Sequence, residues 1–356
     1  MKKRHPKVSV LMSVYNGSRY LKESVESILN QKFDDFEFII IDDASTDQTW
    51  NILSEYAVQD NRIVLIKNHE NLGLTKSLNK GLQITQGEYV ARQDADDISL
   101  ENRLLYQVQF LDAYPEVGAV GANAEAIDQQ GQSLGVRYVL GEQKQLVEHE
   151  KLQAYLLINN CLFHSSLVAR LSLIRILQGY NESLQYAQDY DLWWRLSHLA
   201  RLANLPDPLI SVRCSTQSIT SRKRQEQLLC SFKISLKAVE NSLKNQSLDR
   251  EAYQKFWWTI LQILDQEAYQ KFWWEYRGYS GLLKLQDIQK LQPFWKLLAS
   301  LSKGSQIWSP FLRKLAYDFF RNQQILEGLL LLWIILYQLE TPFPFANRRS
   351  QSTYPL

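Results

Sequence analysis

The sequence predicts an α/β fold: a mainly parallel β-sheet with helices on both faces over residues 1–215, followed by a mostly α-helical region over residues 216–356. Three observations predict it. Short β-branched apolar runs alternate with segments of helical periodicity through the first part of the chain. The 356 residues are 45% hydrophobic and 22% charged, so a large core can form without disulfides. After about Thr216 the composition shifts to stretches rich in Leu, Gln, Lys and Trp, where we place the domain boundary.

The elements of the first part alternate in a regular order. Four buried apolar runs are predicted strands: Lys7 to Val14, Phe36 to Ile41, Ile63 to Ile66 and Glu88 to Ala91. The predicted helices are Tyr20 to Leu29, a segment carrying Trp50, Leu53 and Ala57, Leu74 to Ile84, and Leu100 to Leu111. Residues 45–47 offer N-caps for the second helix, and Ser99 offers one for the fourth. Strands that alternate with helices pair in parallel and are covered on both faces.

The next hundred residues have a mixed pattern. Strands are predicted at Gly118 to Ala126, Gly135 to Leu140 and Leu209 to Val212, and a helix at Asp189 to Leu199. The three cysteines are far apart and form no CxxC pair, so we expect reduced thiols and no zinc site. The basic N-terminus lacks the apolar core of a signal peptide, and no apolar run approaches the roughly 20 residues that span a bilayer. We therefore expect a cytoplasmic protein.

Charge is divided unevenly along the chain. Residues 1–214 carry a net charge of −6 and residues 215–356 carry +8, with seven of the ten Trp in the second part. Basic and Trp side chains favour the lipid headgroup region. This pattern predicts peripheral contact of residues 216–356 with the inner face of a membrane. The alternative is that the same Trp and Leu side chains form the core of a helical domain or pack on a second subunit.

Polar clusters follow three of the predicted parallel strands. They are Tyr15-Asn16, Asp42-Asp43 and the run from Asp94 to Asp97. Ligands of open α/β sheets bind beyond the carboxyl ends of parallel strands, although Asp and Asn are also ordinary turn residues. Three carboxylates within four residues repel one another, and Mg²⁺ or Mn²⁺ shared with a diphosphate relieves that repulsion. The alternative for Asp97 is that it caps the helix predicted to begin near Leu100.

Together these residues resemble family 2 glycosyltransferases of the Rossmann-like GT-A fold. The resemblance covers roughly Lys7 to Gln130, including VSVLMSVYNGSRY, IIIDDASTDQT, NLGLTKSLNKG and GEYVARQDADD, and continues through HSSLVAR and QDYDLWWRL. It implies transfer of a sugar, with inversion, from a nucleoside diphosphate donor to a saccharide or lipid-linked acceptor. A UDP-sugar is the first expectation for the donor, and cell-surface polysaccharide or glycan synthesis is the expected process. A Mn²⁺ or Mg²⁺ cofactor is implied as well.

The resemblance also implies roles for single residues. It assigns nucleotide binding to Ser13, Tyr15, Asn16, Asp43, Lys76 and Asp94. Asp96 would be the main metal ligand, with Asp94 near both ribose and metal. Asp189 would be the general base. Trp193 and Trp194 follow on the same predicted helix, and at least one of them is expected to be a core aromatic.

The sequence departs from the family pattern at several places. Ser13 stands where the first strand usually ends in Pro, and Gln188 replaces the Glu that usually precedes the base. An Arg-x-His is often seen near the end of the domain, but Arg213 is followed by Cys214 and Ser215. His164 is the nearby alternative for assisting the diphosphate, although a lone His is more often a structural hydrogen-bonding residue.

Other functions fit less well. A nucleotidyltransferase that makes nucleotide sugars would carry a Gly-rich phosphate loop where this chain has YNGSRY. A non-catalytic nucleotide-sugar-binding module or membrane-complex scaffold would be expected to lack the metal or base carboxylate, yet Asp96 and Asp189 are both present. No nucleic-acid-binding motif occurs, so no nucleic-acid partner is expected.

Overall fold

The structure is a computed structural model that describes residues 5–139, 145–156 and 160–215. It also describes Lys223, Glu226, Gln227, Cys230, Ser231, Lys233, Ile234, Lys237 and Ala238. The strands within these residues are β1 Val8–Val14, β2 Phe36–Asp42, β3 Ile63–Lys67, β4 Tyr89–Arg92, β5 Ile98–Ser99, β6 Val117–Ile127, β7 Ser133–Arg137, β8 Val168–Arg170 and β9 Arg201–Arg213. The helices are α1 Leu21–Leu29, α2 Thr49–Gln59, α3 Leu74–Ile84, α4 Arg103–Ala113, α5 His149–Leu156, α6 Leu171–Ile176 and α7 Gln188–Leu196.

The described strands form one sheet in the order β3-β2-β1-β4-β8-β6-β9-β5, with β7 paired to β6. The four strands at the β3 end are parallel, as predicted. Beyond β4 the sheet is mixed, because β8 runs antiparallel to both β4 and β6, while β6 and β9 are parallel. The carboxyl ends of β1, β2 and β4 therefore meet at one edge, where the polar clusters lie.

Both faces of the sheet are covered, as the alternation of strands and helices predicts. Side chains alternate along β1, so Leu11 packs on one face while Val10 and Met12 pack on the other. The Leu11 face is covered by α3, α6 and α7, and the opposite face by α1, α2 and α4. None of the helices in the described part of the chain has the length and apolar character needed to cross a bilayer.

Several sequence-based boundaries were wrong. The fourth predicted helix begins at Arg103 rather than Leu100, and Ser99 lies in β5 instead of capping it. The backbone there pairs with β9, and the Leu100 N–H donates to the Leu209 carbonyl at 2.9 Å. The strand predicted at Gly135 to Leu140 is β7, which pairs with β6 as a hairpin and spans Ser133–Arg137. No prediction was made for α5, β8 or α6. The helical region predicted over residues 216–356 lies outside the described residues, apart from the scattered positions named above.

Candidate active site

The loops that follow β1 and β2 are joined at the carboxyl-end edge of the sheet. The Asp43 N–H donates to the Val14 carbonyl at 2.9 Å. Asn16 adopts a left-handed φ of 51°, which Asn tolerates better than most residues, and Tyr15 beside it is 51% exposed. Ser13, near the end of β1 and two residues before Tyr15, is buried. The fold thus brings these four residues, predicted to bind the nucleotide, to one place.

Asp43 organises the loop that leads into α3. Its buried carboxylate accepts hydrogen bonds from Asn68 Nδ2 at 2.7 Å and from the backbone N–H of Leu72 at 2.9 Å, both on Oδ1. The Gly73 N–H donates to Oδ2 at 2.8 Å. Lys76, in the first turn of α3, is exposed. Asp43 therefore fixes the start of the helix that carries Lys76 toward solvent.

The acidic run after β4 contains carboxylates with separate partners. Asp94 Oδ1 accepts from the buried guanidinium of Arg92 at 2.5 Å. Asp97 accepts from the Ser165 hydroxyl and, at 3.0 Å, from the backbone N–H of Arg213. The interpretation of Asp97 as a helix cap was wrong, because its carboxylate links the acidic run to the HSSLVAR segment and to β9. Protein groups thus relieve part of the repulsion that the sequence argument assigned to a metal ion.

The ionised form of Asp96 is destabilised by its surroundings. Burial, together with the charge of Asp94, raises the pKa of Asp96 to about 6, while Arg213 and Arg92 act in the opposite direction. The pKa of Asp97 is also held well above its usual range, by burial and by both neighbouring carboxylates. Among the described residues, no three His, Cys, Asp or Glu side chains converge in a way that could hold a metal ion.

Arg213 is a site residue whose contacts sequence reasoning missed. Its guanidinium donates to the carbonyl oxygens of Asp96 and Asp128 at 3.1 Å each, and pairs with the Glu23 carboxylate at 2.7 Å. It also lies over the Tyr20 ring, 4.2 Å from the ring centroid. The last residue of β9 therefore ties the acidic run to α1 and to the β6–β7 hairpin. Arg92 could have been suspected from sequence, because a cation inside an apolar strand needs a buried partner.

A second buried cation, Arg103, binds groups at both ends of the acidic run. Arg103 is fully buried and donates to Gln93 Oε1 at 3.0 Å, to Ser99 Oγ at 2.7 Å and to the Arg92 carbonyl at 2.8 Å. Burial lowers the pKa of Arg103 to about 9. These bonds hold both ends of the loop that carries the candidate metal ligands.

We expect Arg103→Met to destabilise the fold by about 2–4 kcal/mol, because it leaves several buried acceptors without donors. Urea denaturation followed by circular dichroism measures this loss. The matched control is Arg19→Met at an exposed position, which should change stability by less than about 0.5 kcal/mol. Equal midpoints for the two variants would show that the Arg103 network contributes nothing to the fold.

Asp189 lies in the first turn of α7. The helix starts abruptly because Ala187 before it adopts a left-handed φ of 57°. Asn160 Nδ2 donates to Asp189 Oδ2 at 2.6 Å, a contact that sequence reasoning did not anticipate. Trp193 and Trp194, farther along the helix, are both buried in the core, which confirms the structural interpretation of these side chains.

His164 lies beside α7, with its ring centroid 6.0 Å from that of Trp193. Its Nε2 lies 2.9 Å from the Tyr180 hydroxyl, and burial lowers the pKa of His164 to about 4. The side chain is therefore neutral at pH 7 in this structure. Arg92, Asp94 and Asp189 all act electrostatically on both His164 and Tyr180. Asp94 and Asp189, distant in sequence, therefore both lie within electrostatic range of the same pair of side chains.

The chain is similar in sequence to known proteins. The model of glycosyl transferase family 2 matches residues 9–173. An uncharacterized glycosyltransferase of Haemophilus influenzae is 33% identical over 247 residues, which cover 68% of this chain and 76% of that protein. The amylovoran biosynthesis glycosyltransferase AmsE of Erwinia amylovora is 29% identical over 237 residues, covering 64% of this chain and 86% of AmsE.

Solved structures show the same fold at low sequence identity. A fragment of S. aureus TarS in complex with UDP has a TM-score of 0.55 and 19% identity, covering 95% of this chain and 93% of that one. The mannosyltransferase PcManGT from Pyrobaculum calidifontis, in complex with GDP-Man and Mn²⁺, has a TM-score of 0.55 and 20% identity, covering 95% and 88%. The predicted GT-A architecture is confirmed. The chain belongs to glycosyl transferase family 2 and is a glycosyltransferase of the GT-A fold.

Proposed function

We propose that the enzyme transfers a hexosyl group from a nucleoside diphosphate sugar, in the first place a UDP-sugar, to a saccharide or lipid-linked acceptor in cell-surface polysaccharide synthesis. The observation that carries the proposal is that Asp94 and Asp189, distant in sequence, both act electrostatically on the hydrogen-bonded pair His164 and Tyr180. One carboxylate lies in the acidic run at the strand ends, and the other lies in the first turn of α7. The part that AmsE plays in amylovoran biosynthesis supports a polysaccharide product.

The nucleotide would lie over the joined loops after β1 and β2. Tyr15 offers an exposed ring for the base, with Ser13 and Asn16 alongside. Asp43 Oδ2 accepts one backbone N–H in this structure and, as a carboxylate oxygen, can accept a second donor from the base. Lys76 is free to approach a phosphate from the exposed side of α3.

A divalent cation fits Asp96 and Asp94. Asp96 is desolvated beside a second carboxylate, which raises its pKa and makes it a group that a cation would stabilise. Two protein carboxylates completed by diphosphate oxygens are a common set of ligands for Mg²⁺ or Mn²⁺. Once bound, such an ion would neutralise the negative charge of the departing nucleoside diphosphate.

Asp189 would act as general base and take the proton of the acceptor hydroxyl that attacks the anomeric carbon. A carboxylate base on the face opposite the leaving group leads to inversion at that carbon. Asn160 already binds one oxygen of Asp189, which leaves the other for the acceptor. His164, neutral and bonded to Tyr180, would shape the wall of the site rather than move a proton.

A screen of UDP- and GDP-sugars by thermal shift, with and without Mn²⁺, tests this function. The true donor at a hundred times its dissociation constant should raise the unfolding midpoint by about 5 °C, and more strongly with Mn²⁺. Free UDP and GDP are the matched controls for binding of the nucleotide alone. A protein that no nucleotide sugar stabilises, with or without the metal, would contradict the proposal.

We also propose that residues 216–356, outside the described structure, hold the enzyme at the cytoplasmic face of a membrane. The +8 charge and the seven Trp of residues 215–356 support this. Full-length protein should float with anionic liposomes at low salt and less at high salt, while a chain ending at residue 215 should not float. Full-length protein that stays at the bottom of the gradient at low salt would show instead that these residues serve packing.

A further inference from the structure

The base side of the site contains a side chain with two simultaneous contacts. Asn160 Nδ2 donates to Asp189 Oδ2 at 2.6 Å, and Asn160 Oδ1 accepts the backbone N–H of Leu162 at 3.2 Å. The amide is therefore anchored by its acceptor to its own turn while its donor holds a carboxylate on α7. Asparagine is suited to this because its short side chain carries both a donor and an acceptor.

A carboxylate at the start of a helix needs such a partner if it is to act on one acceptor hydroxyl. The terminal torsion of an Asp side chain is broad, so Asp189 by itself would sample many orientations of its carboxylate plane. A charge-assisted hydrogen bond to one oxygen restricts that plane and leaves the other oxygen for the acceptor hydroxyl. Arg92 and Asp94 are the charged groups that act together with Asp189 on His164 and Tyr180.

We propose that Asn160 is a positioning residue for the reaction, which holds Asp189 through Oδ2 so that Oδ1 faces the acceptor hydroxyl. This inference rests on the proposed role of Asp189 as base. It does not require Asn160 to touch either substrate. Loss of the amide donor should therefore lower kcat. The KM for the nucleotide sugar and its binding affinity should both stay unchanged.

The decisive variant is Asn160→Asp, because it keeps the acceptor for the Leu162 N–H and removes the donor to Asp189. At neutral pH we expect kcat to fall by about 10- to 100-fold, the size of one charge-assisted hydrogen bond. As pH falls toward 5, the introduced carboxylate and Asp189 together hold one proton. The introduced carboxyl group can then donate a hydrogen bond again, so the fall in kcat should become smaller. A residue that merely supports the turn would show neither effect.

Turnover is measured as nucleoside diphosphate released when the sugar of UDP-N-acetylglucosamine or GDP-mannose passes to water, which takes the place of the acceptor hydroxyl. Donor binding is followed by calorimetry with UDP. A variant that keeps more than half of the wild-type kcat at neutral pH, or whose loss does not change with pH, overturns the proposal. Asn160→Ala, which removes both contacts, should lower kcat at least as much and show no recovery at low pH.

A stability measurement tests the contact without turnover. In urea denaturation at pH 7, Asn160→Asp should lower the unfolding midpoint in the wild-type background and much less in the Asp189→Asn background. Equal losses in the two backgrounds would overturn the contact. If Asp189→Asn retains turnover while the stability coupling is present, the proposed base is wrong and the contact is real. If Asp189→Asn is inactive and Asn160→Asp is not impaired, only the present inference fails.

Discussion

Asp189→Asn is expected to lower the rate of transfer by about 10²- to 10⁴-fold, the usual contribution of a general base. The substitution replaces an oxygen by an isosteric amide nitrogen, so the start of α7 should stay in place. Because the base acts on the acceptor, affinity for the nucleotide sugar should be unchanged. Steady-state transfer assays measure the rate, and calorimetry with the donor measures the affinity.

Asp191→Asn is the matched control on the same helix turn. The Asp191 carboxylate accepts from Arg195 Nε at 2.7 Å and faces a structural partner rather than the site. Loss of this ion pair in Asp191→Asn should lower the stability of the fold modestly and change turnover by less than tenfold. If Asp189→Asn keeps more than about a tenth of the wild-type rate with chemistry limiting, another residue is the base.

Asp96→Asn is expected to weaken metal-dependent binding of the nucleotide sugar by 100-fold or more while the fold stays intact. The neutral amide is a poor substitute for a carboxylate ligand of Mn²⁺ or Mg²⁺. Calorimetric titration of the donor with and without Mn²⁺ measures the effect. An unchanged affinity for the nucleotide sugar in the presence of Mn²⁺ would show that Asp96 is not a metal ligand.

The same substitution should raise stability in the absence of metal and donor. The folded-state pKa of Asp96 lies above its usual value, so ionisation of Asp96 opposes folding at pH 7. Removing that charge should therefore increase the unfolding midpoint, as is common where function requires an unfavourable group. Asp207→Asn, at an exposed position, is the control and should leave both affinity and midpoint unchanged.

Local pattern predicted the parallel half of the fold well. The predicted third helix matches α3 at both ends, and β1 and β2 match to within one residue, because their apolar runs are long and bounded by turn residues. The mixed half was predicted less well. The strand β8 has three residues and β5 has two, so neither carries a detectable period, and both exist because a distant strand pairs with them.

The candidate site shows the same division. The acidic run and Asp189 could be selected from sequence because they match a family pattern. Nothing in the sequence pairs Asp94 with Arg92, Asp97 with Ser165, or Asp189 with Asn160. The pair of Asp94 and Arg92 is local, but the other two depend on how α7 and the residues before β8 pack against the ends of the parallel strands.

The sequence by itself determined the alternation of buried strands and helices, the edge at which the polar clusters lie, and the residue types available there. These follow from short-range periodicity and from the rule that parallel strands share one carboxyl-end edge. Only the tertiary structure decided which carboxylates are held by protein groups. Burial and distance set the energy of a charge, and both depend on residues far apart in the chain. Asp97 is therefore held by Ser165 and by the backbone of Arg213, while Asp96 remains the carboxylate that a cation would stabilise.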